Sequence, residues 1–222
     1  ANIIPRLPRH IPCSTSPIML QSKGKKGNRN MICMTLDVET THKEKINGGF
    51  TPLPYFGNKL VSVGFKYMGS ITSYLCFNHS TQKPDYKGNE ILQDSLRNVD
   101  VLIGHNIKFD ISWLRDCGFV YNNHLYDTMV AEYILASSRR WSLGLESVAE
   151  RYGALKKKSL VDGYLKDGKT FYDIPYDIIE EYGRSDVEAT EQVALKQLEA
   201  FGTTFEELFA NEETIANSAF VA

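Results

Sequence analysis

Two hydrophobic periods run through this chain from Met31 onward, and neither is present before it. In residues 1–30, Pro5, Pro8, Pro12 and Pro17 precede a polar run from Gln21 to Asn30, which predicts an N-terminal arm that stays flexible unless a partner orders it. Residues 31–37 read as a short apolar strand. A Gly- and Pro-containing stretch follows over 40–58. Residues 59–68 and 71–77 then read as two strands joined tightly at Gly69-Ser70. Ile91, Leu92 and Leu96 fall on one face of a helix over 89–97, and residues 99–104 form a buried strand. A helix from Lys108 to Cys117 stops at Gly118. A short strand at 124–126 leads into a helix over 127–136, and Ser142 offers a cap for a helix running to Tyr152. The longest helical pattern spans Pro175 to Phe201, and Thr204–Ala210 suits a short helix in a C-terminal tail, 201–222. Three antiparallel strands followed by α/β units on the same sheet give an α/β fold, a mixed sheet flanked by helices.

At 222 residues, 42% hydrophobic and 23% charged, the chain suits one α/β domain with appendages. No apolar run approaches the roughly 20 residues that cross a bilayer, so no membrane span is expected. The four cysteines, Cys13, Cys33, Cys76 and Cys117, form no CxxC pair. They read as reduced thiols of a cytosol-like compartment, such as a bacterial or infected-host cytoplasm. The basic, acid-free arm faintly resembles an organelle transit peptide but lacks an amphipathic helix, and a simple arm is preferred. Charge is unevenly placed. Six of the 25 basic residues and none of the 27 acidic ones lie in residues 1–30, so the remainder carries 19 basic against 27 acidic. An acidic body opposes nucleic-acid binding unless cations neutralise part of it.

Three short segments bring the chemistry into view. Asp37 and Glu39 are two apart after an apolar strand, so both side chains point to one side while Val38 turns to the core. Asp110 closes Gly104-His105-Asn106-Ile107-Lys108-Phe109-Asp110, one turn after a buried strand. There His105 and Asn106 offer hydrogen bonds to a ligand and Phe109 an apolar surface. Tyr182 and Asp186 lie four apart on one helix face. Each segment alone has an ordinary explanation: surface acids, an early-helix Asp complementing the helix dipole, a helix-surface pair. Together, in this order, they form a set of acids that repel one another unless divalent cations lie between them. Other positively charged segments weigh less. Lys156-Lys157-Lys158 reads as a solvated loop before it reads as a phosphate grip, and Trp141 in Arg139-Arg140-Trp141 suits base stacking or packing equally.

The three segments resemble the motifs of the DEDD 3′–5′ exonucleases, specifically the proofreading domains of family A DNA polymerases of bacteriophage type. Those motifs are Asp-x-Glu, an Asn shortly before a Phe/Tyr-Asp pair, and Tyr-x-x-x-Asp. The resemblance spans residues 31–200. Leu125-Tyr126-Asp127-Thr128, Leu143-Gly144-Leu145-Glu146-Ser147-Val148-Ala149 and Asn58-Lys59-Leu60-Val61-Ser62-Val63-Gly64 also look like segments of such domains. Glu181 stands where the alternative subclass has His, which makes this the tyrosine type. One departure is Lys43, at about the place of the family's apolar strand-separating wedge.

The resemblance implies a ribonuclease-H-like fold and two-metal hydrolysis of the 3′-terminal phosphodiester, releasing nucleoside 5′-monophosphates. Asp37, Glu39, Asp110, Tyr182 and Asp186 would be catalytic. The four acids would ligate two ions, whose all-oxygen ligands suit Mg²⁺ or Mn²⁺. Thr40, His105, Asn106 and Phe109 would contact the substrate, single-stranded DNA or a frayed 3′ primer terminus. A DNA polymerase, fused or separate, is the implied partner, although the residues after 200 are too few to form one. An exoribonuclease resembling RNase D, and a non-catalytic nucleic-acid-binding scaffold, are the alternatives.

Overall fold

The computed structural model describes residues 31–44, 50–51, 53–137, 139–154 and 160–209. The arm, the triple-lysine segment and the tail past 209 lie outside these residues. Five strands form the main sheet: β1 (Cys33–Thr40), β4 (Leu60–Tyr67), β5 (Ser73–Cys76), β6 (Val101–Gly104) and β7 (His124–Asp127). Their order is β5-β4-β1-β6-β7. β4 pairs antiparallel with β1 and β5, while β6 pairs parallel with β1 and β7. The expected mixed sheet is therefore present, with β1 at its centre. The stretch 40–58 contains a two-stranded pair, β2 (Lys43–Glu44) with β3 (Phe50–Thr51), and one 3₁₀ turn at Pro54–Phe56.

Helices cover both faces. α1 (Gly88–Arg97) and α2 (Ile107–Asp116) lie on one, and bury Leu92, Leu96, Ile107, Ile111 and Leu114 against Met34, Leu36 and Val38 of β1. On the other face α3 (Thr128–Ala136), the 26-residue α6 (Tyr176–Phe201) and α7 (Phe205–Phe209) meet Cys33, Val101 and Ile103. α4 (Leu145–Arg151) packs Leu145, Val148 and Ala149 onto Ala189 and Val193 of α6. The five-residue α5 (Asp162–Lys166) precedes α6.

Three expectations need correcting. β1 does not stop at 37 but runs through Thr40, so Asp37 and Glu39 belong to the strand. α4 starts at Leu145 with Gly144 at its cap, and Ser142 instead gives its carbonyl to Arg151 (2.9 Å). α5 has no counterpart in the periodicity: it buries no residue.

The seat of α6 on the sheet is set by what is missing from it. On the α6 side, the β4 residues opposite Thr35, Asp37 and Glu39 are Lys66, Gly64 and Ser62. A Cβ on Gly64 would lie 3.0 Å from Val187 Cγ2, and one on Gly183 would lie 2.5 Å from Tyr74 Cε2. Two facing glycines thus let the helix descend onto the sheet at the level of Asp37. Tyr74 fills the remaining space, its hydroxyl 2.7 Å from Ser62 Oγ and donating to Ile179 O at 2.9 Å. Gly183→Ala should lower stability by about 1–3 kcal/mol through overpacking, despite the ~1 kcal/mol that Ala gains over Gly in a helix. Gly163→Ala, whose Cβ would meet nothing within 4 Å, should not destabilise. Urea unfolding midpoints of the two variants check the contrast.

Candidate active site

Asp37 and Glu39 project from the α6 face of β1, because residues two apart share a face. Asp186 reaches them from the helix that the glycines bring close. One carboxylate oxygen from each of Asp37, Glu39 and Asp186 lies within 4.8 Å of the other two. Asp186 and Glu39 are buried and Asp37 is half-buried. The register with β4 shifts between Glu39 and Thr40 at the end of this row, where Val61 of β4 is passed over.

Asp110 arrives by a different route. β1 pairs with β6 only from Cys33 to Thr35. Beyond that point the β6 side of β1 has no strand partner among the described residues, and the Val38 N–H donates to Asp110 Oδ1 at 3.0 Å. The carboxyl is buried within the first turn of α2. Burial, and then the negative charge of Asp37, push Asp110 well above the usual carboxylate range, while the Val38 and Asp110 backbone N–H groups pull it down. The rise comes first from the loss of water around the carboxyl and second from its like-charged neighbour.

Tyr182 is buried and tilted against Phe171 at a centroid distance of 5.8 Å. Burial first, then the charges of Asp186, Glu39 and Asp37, raise its pKa far above the ordinary phenol value. It is also hydrogen-bonded to Asp186. A phenol so placed keeps its proton and acts as a donor, not as a base.

The other expected residues divide. Thr40 is buried at the register shift. Asn106 occupies the left-handed region (φ 62°), its side chain exposed at the head of α2, and Phe109 is half-buried one turn on. His105 is bonded within the protein. Its Nε2 donates to Leu143 O and its Nδ1 pairs with Thr128 Oγ1, both at 2.8 Å, so both ring nitrogens are spent inside the protein. The ring ties the loop before α4 to the head of α2. Sequence reasoning misses Asp127 as a site residue, although it organises this corner. Its Oδ1 accepts from Asn106 N and Met129 N, both at 2.9 Å, capping α3 and fixing the β6–α2 turn. An Asp directly before a helix is the signal that could have found it. Gly64, Gly183 and Tyr74 are missed as well. The alternation Ser62-Val63-Gly64-Phe65 is their trace: Val63 and Phe65 enter the cluster beneath α1 and α2, while the small Ser62 and Gly64 lie toward α6.

A family model for 3′-5′ exonuclease matches residues 51–199. The chain belongs to the 3′-5′ exonuclease family. The matched span holds Asp110, Tyr182 and Asp186; the Asp37/Glu39 pair precedes it and joins the site through β1. The family is one of metal-dependent hydrolytic nucleases, and the motif set is of the DEDD type. No curated protein matches the chain. Among solved structures, Brucella melitensis NrnC with bound Mg²⁺ is similar at TM-score 0.52 and 17% identity, with 79% of this chain and 77% of that one covered. The family B DNA polymerase of Pyrobaculum calidifontis aligns at TM-score 0.57 and 16% identity over 77% of this chain, and Escherichia coli RNase D at 0.53 and 18% over 77%. This chain spans only 25% of that polymerase and 40% of that RNase D. Such likenesses carry the fold, which is ribonuclease-H-like.

The donor set fits a divalent cation of the hard, oxygen-preferring kind: carboxylate oxygens converge, and no Cys or His is among them. Asp186→Asn removes one charge from the cluster. In chelator it should raise the melting temperature by about 2–4 °C, the equivalent of ~1 kcal/mol for a domain this size. Added Mg²⁺ should stabilise the unsubstituted enzyme further but not the variant. Calorimetry with and without Mg²⁺ reads both effects, and a lower melting temperature for the variant in chelator would contradict the repulsion argument.

Proposed function

We propose that this exonuclease acts on DNA, shortening single strands and frayed 3′ primer termini as the proofreading module of a replication machine. The observation that carries the catalytic half is the convergence of Asp37, Glu39 and Asp186, with Asp110 held beside them by the Val38 N–H. The choice of DNA is supported by the likeness of the motifs and of the segments between them to polymerase proofreading domains. A DNA polymerase, fused or separate, is the partner that this role requires.

Asp37, Glu39 and Asp186 would hold one divalent ion, and Asp37 with Asp110 would support a second. Bound there, Mg²⁺ or Mn²⁺ stabilises charge on the attacking and leaving oxygens of an in-line displacement. The protein's own part is positional. Tyr182, protonated and donating its one proton to Asp186, keeps oxygen lone pairs that would accept a hydrogen bond from the attacking water and orient it. Asp110 stays aimed because its Oδ1 is fixed to the strand backbone. Phe109 offers an apolar surface to the terminal nucleotide, and the exposed Asn106 offers its amide to the next one. His105 acts indirectly by holding Leu143. Water adds to phosphorus, the 3′-oxygen of the penultimate nucleotide leaves, and a nucleoside 5′-monophosphate is released.

The fold likeness to RNase D and NrnC gives the second reading, an exoribonuclease with the same catalytic set. Matched DNA and RNA oligonucleotides, labelled at the 5′ end, separate the two: DNA should be shortened one residue at a time, and shortening of RNA alone rejects the first reading. With primed templates, a mismatched 3′ terminus should be removed faster than a matched one, and chelator should stop both. Asp110→Ala should slow release on the order of 10³-fold, and Tyr182→Phe, which keeps the ring and loses the hydroxyl, at least ~10²-fold.

A further inference from the structure

Two hollows flank the loop between α3 and α4. One, of about 340 Å³, opens beside Tyr182 and is lined by Ser142, Gly144, Ser147 and Asp162. The other, of about 380 Å³, is lined by Glu132, Leu135, Trp141, Arg151, Tyr152 and Ala200. Ser142 lines the first and Trp141 the second, so consecutive residues of the loop serve one hollow each. The loop is fixed at both ends of this step: Leu143 O accepts from His105, and Ser142 O accepts from Arg151 at 2.9 Å.

Trp141 is not packed as a core residue. It is 42% exposed, while the chain's other tryptophan, Trp113, is 1% exposed. Two guanidinium groups lie over the Trp141 ring, Arg139 at 4.8 Å and Arg151 at 5.2 Å from its centroid. They differ in freedom. Arg151 is pinned by Glu132, whose Oε1 accepts from its Nη2 at 2.9 Å and its Nε at 3.2 Å, with Glu132 itself buried. Arg139 is exposed and, like its exposed neighbour Arg140, forms no ion pair with a carboxylate among the described residues. A base can therefore displace Arg139 from the ring, and the released guanidinium can turn to the phosphate beside that base. An exposed indole between arginines is suited to single strands, because every base has a π-face and every linkage a charge.

We infer that Trp141, backed by Arg151 and flanked by Arg139 and Arg140, is a stacking subsite for a nucleotide upstream of the scissile linkage, holding the strand that feeds the site beside Tyr182. This inference rests on the exonuclease reading and adds where the strand leaves the site.

The test uses single-stranded oligodeoxynucleotides from two to about twelve residues, a span set by typical single-strand site sizes. For the unsubstituted enzyme, KM should fall with length until the strand reaches the indole. Trp141→Ala should raise KM about ten-fold or more for the long strands and leave the shortest cleavable strand within about two-fold; Trp141→Phe, which keeps a stacking face, should restore most of the loss. In chelator, without turnover, long strands should quench indole emission in the unsubstituted protein and not in Trp141→Phe, since Trp113 is buried. Arg139→Gln with Arg140→Gln should flatten the dependence of log affinity on log salt by about 0.7 for each phosphate that is no longer neutralised. An equal loss on short and long strands, no loss on either, or no quenching overturns the subsite. Failure of every protein to cut any strand at any length rejects the exonuclease reading itself, and so is distinct.

Discussion

The whole arrangement depends on holding three carboxylates within 4.8 Å of one another before any cation arrives. At an effective dielectric of ~20, two unit charges at such a distance repel by about 3–4 kcal/mol, a large part of the ~5–15 kcal/mol by which a domain is stable. The fold must supply that holding force from elsewhere. It does so by placing Asp37 and Glu39 on the central strand, paired for most of its length with β4, and Asp186 on a 26-residue helix buried along its sheet-facing side. Neither element can retreat without opening the core. The Gly64–Gly183 approach is where this constraint is sharpest, since it sets how near the third acid comes to the other two.

The period of a strand explains why one short segment can serve core and site together. Met34, Leu36 and Val38 enter the cluster beneath α1 and α2, while Asp37 and Glu39 face α6. The early departure of β6 from β1 then creates the place for the fourth acid. Past Thr35 the backbone on that side needs an acceptor, because buried N–H groups are almost always bonded. The carboxylate of Asp110 is that acceptor for Val38. The same bond that satisfies the strand thus aims the acid, and the strained Asn106, tied by its N–H to Asp127, sets the turn that delivers it.

Much of this is legible in the sequence, for physical reasons that also explain the failures. β4 and β6 stand out as short, continuously buried runs rich in apolar residues and α6 by its helical spacing, and the acids stand out because their spacing matches one face of a strand and one face of a helix. The end of β1 is hidden because acids at 37 and 39 break an apolar run; a strand with one face turned to a charged site looks like a strand that has stopped. Ser142 looks like a cap because its residue type suits one, yet its carbonyl serves Arg151 and Gly144 takes the cap position. His105 looks like a ligand donor because imidazole beside an acid often is; that both nitrogens meet Thr128 and Leu143 depends on partners 23 and 38 residues away. The facing glycines are of the same kind. Either alone is an unexplained small residue, and only the packed sheet and helix give the pair a meaning.

The charge balance of the body bears on how a polyanion approaches such a protein. Several cations on the α6 side are consumed locally: Lys66 by Glu188 and Glu191, at 2.8 and 3.1 Å, Arg184 by Glu180 at 2.7 Å, and Arg151 by Glu132. The Lys66 pairs brace α6 against the sheet, the Arg151 pair braces α4 against α3 and the Arg184 pair lies along α6, and neutralised as they are they attract little from solution. A phosphate chain responds instead to exposed cations without local carboxylates, and to the depth at which the negative cluster is buried. Arg139 and Arg140 meet the first condition at the mouth of the loop, and Lys108 is exposed one residue before Phe109. The cluster meets the second, since Glu39, Asp110 and Asp186 are each less than 10% exposed. An acidic protein can therefore accept nucleic acid where its negative charge is screened by depth and by bound cations, and its positive charge is left at the rim.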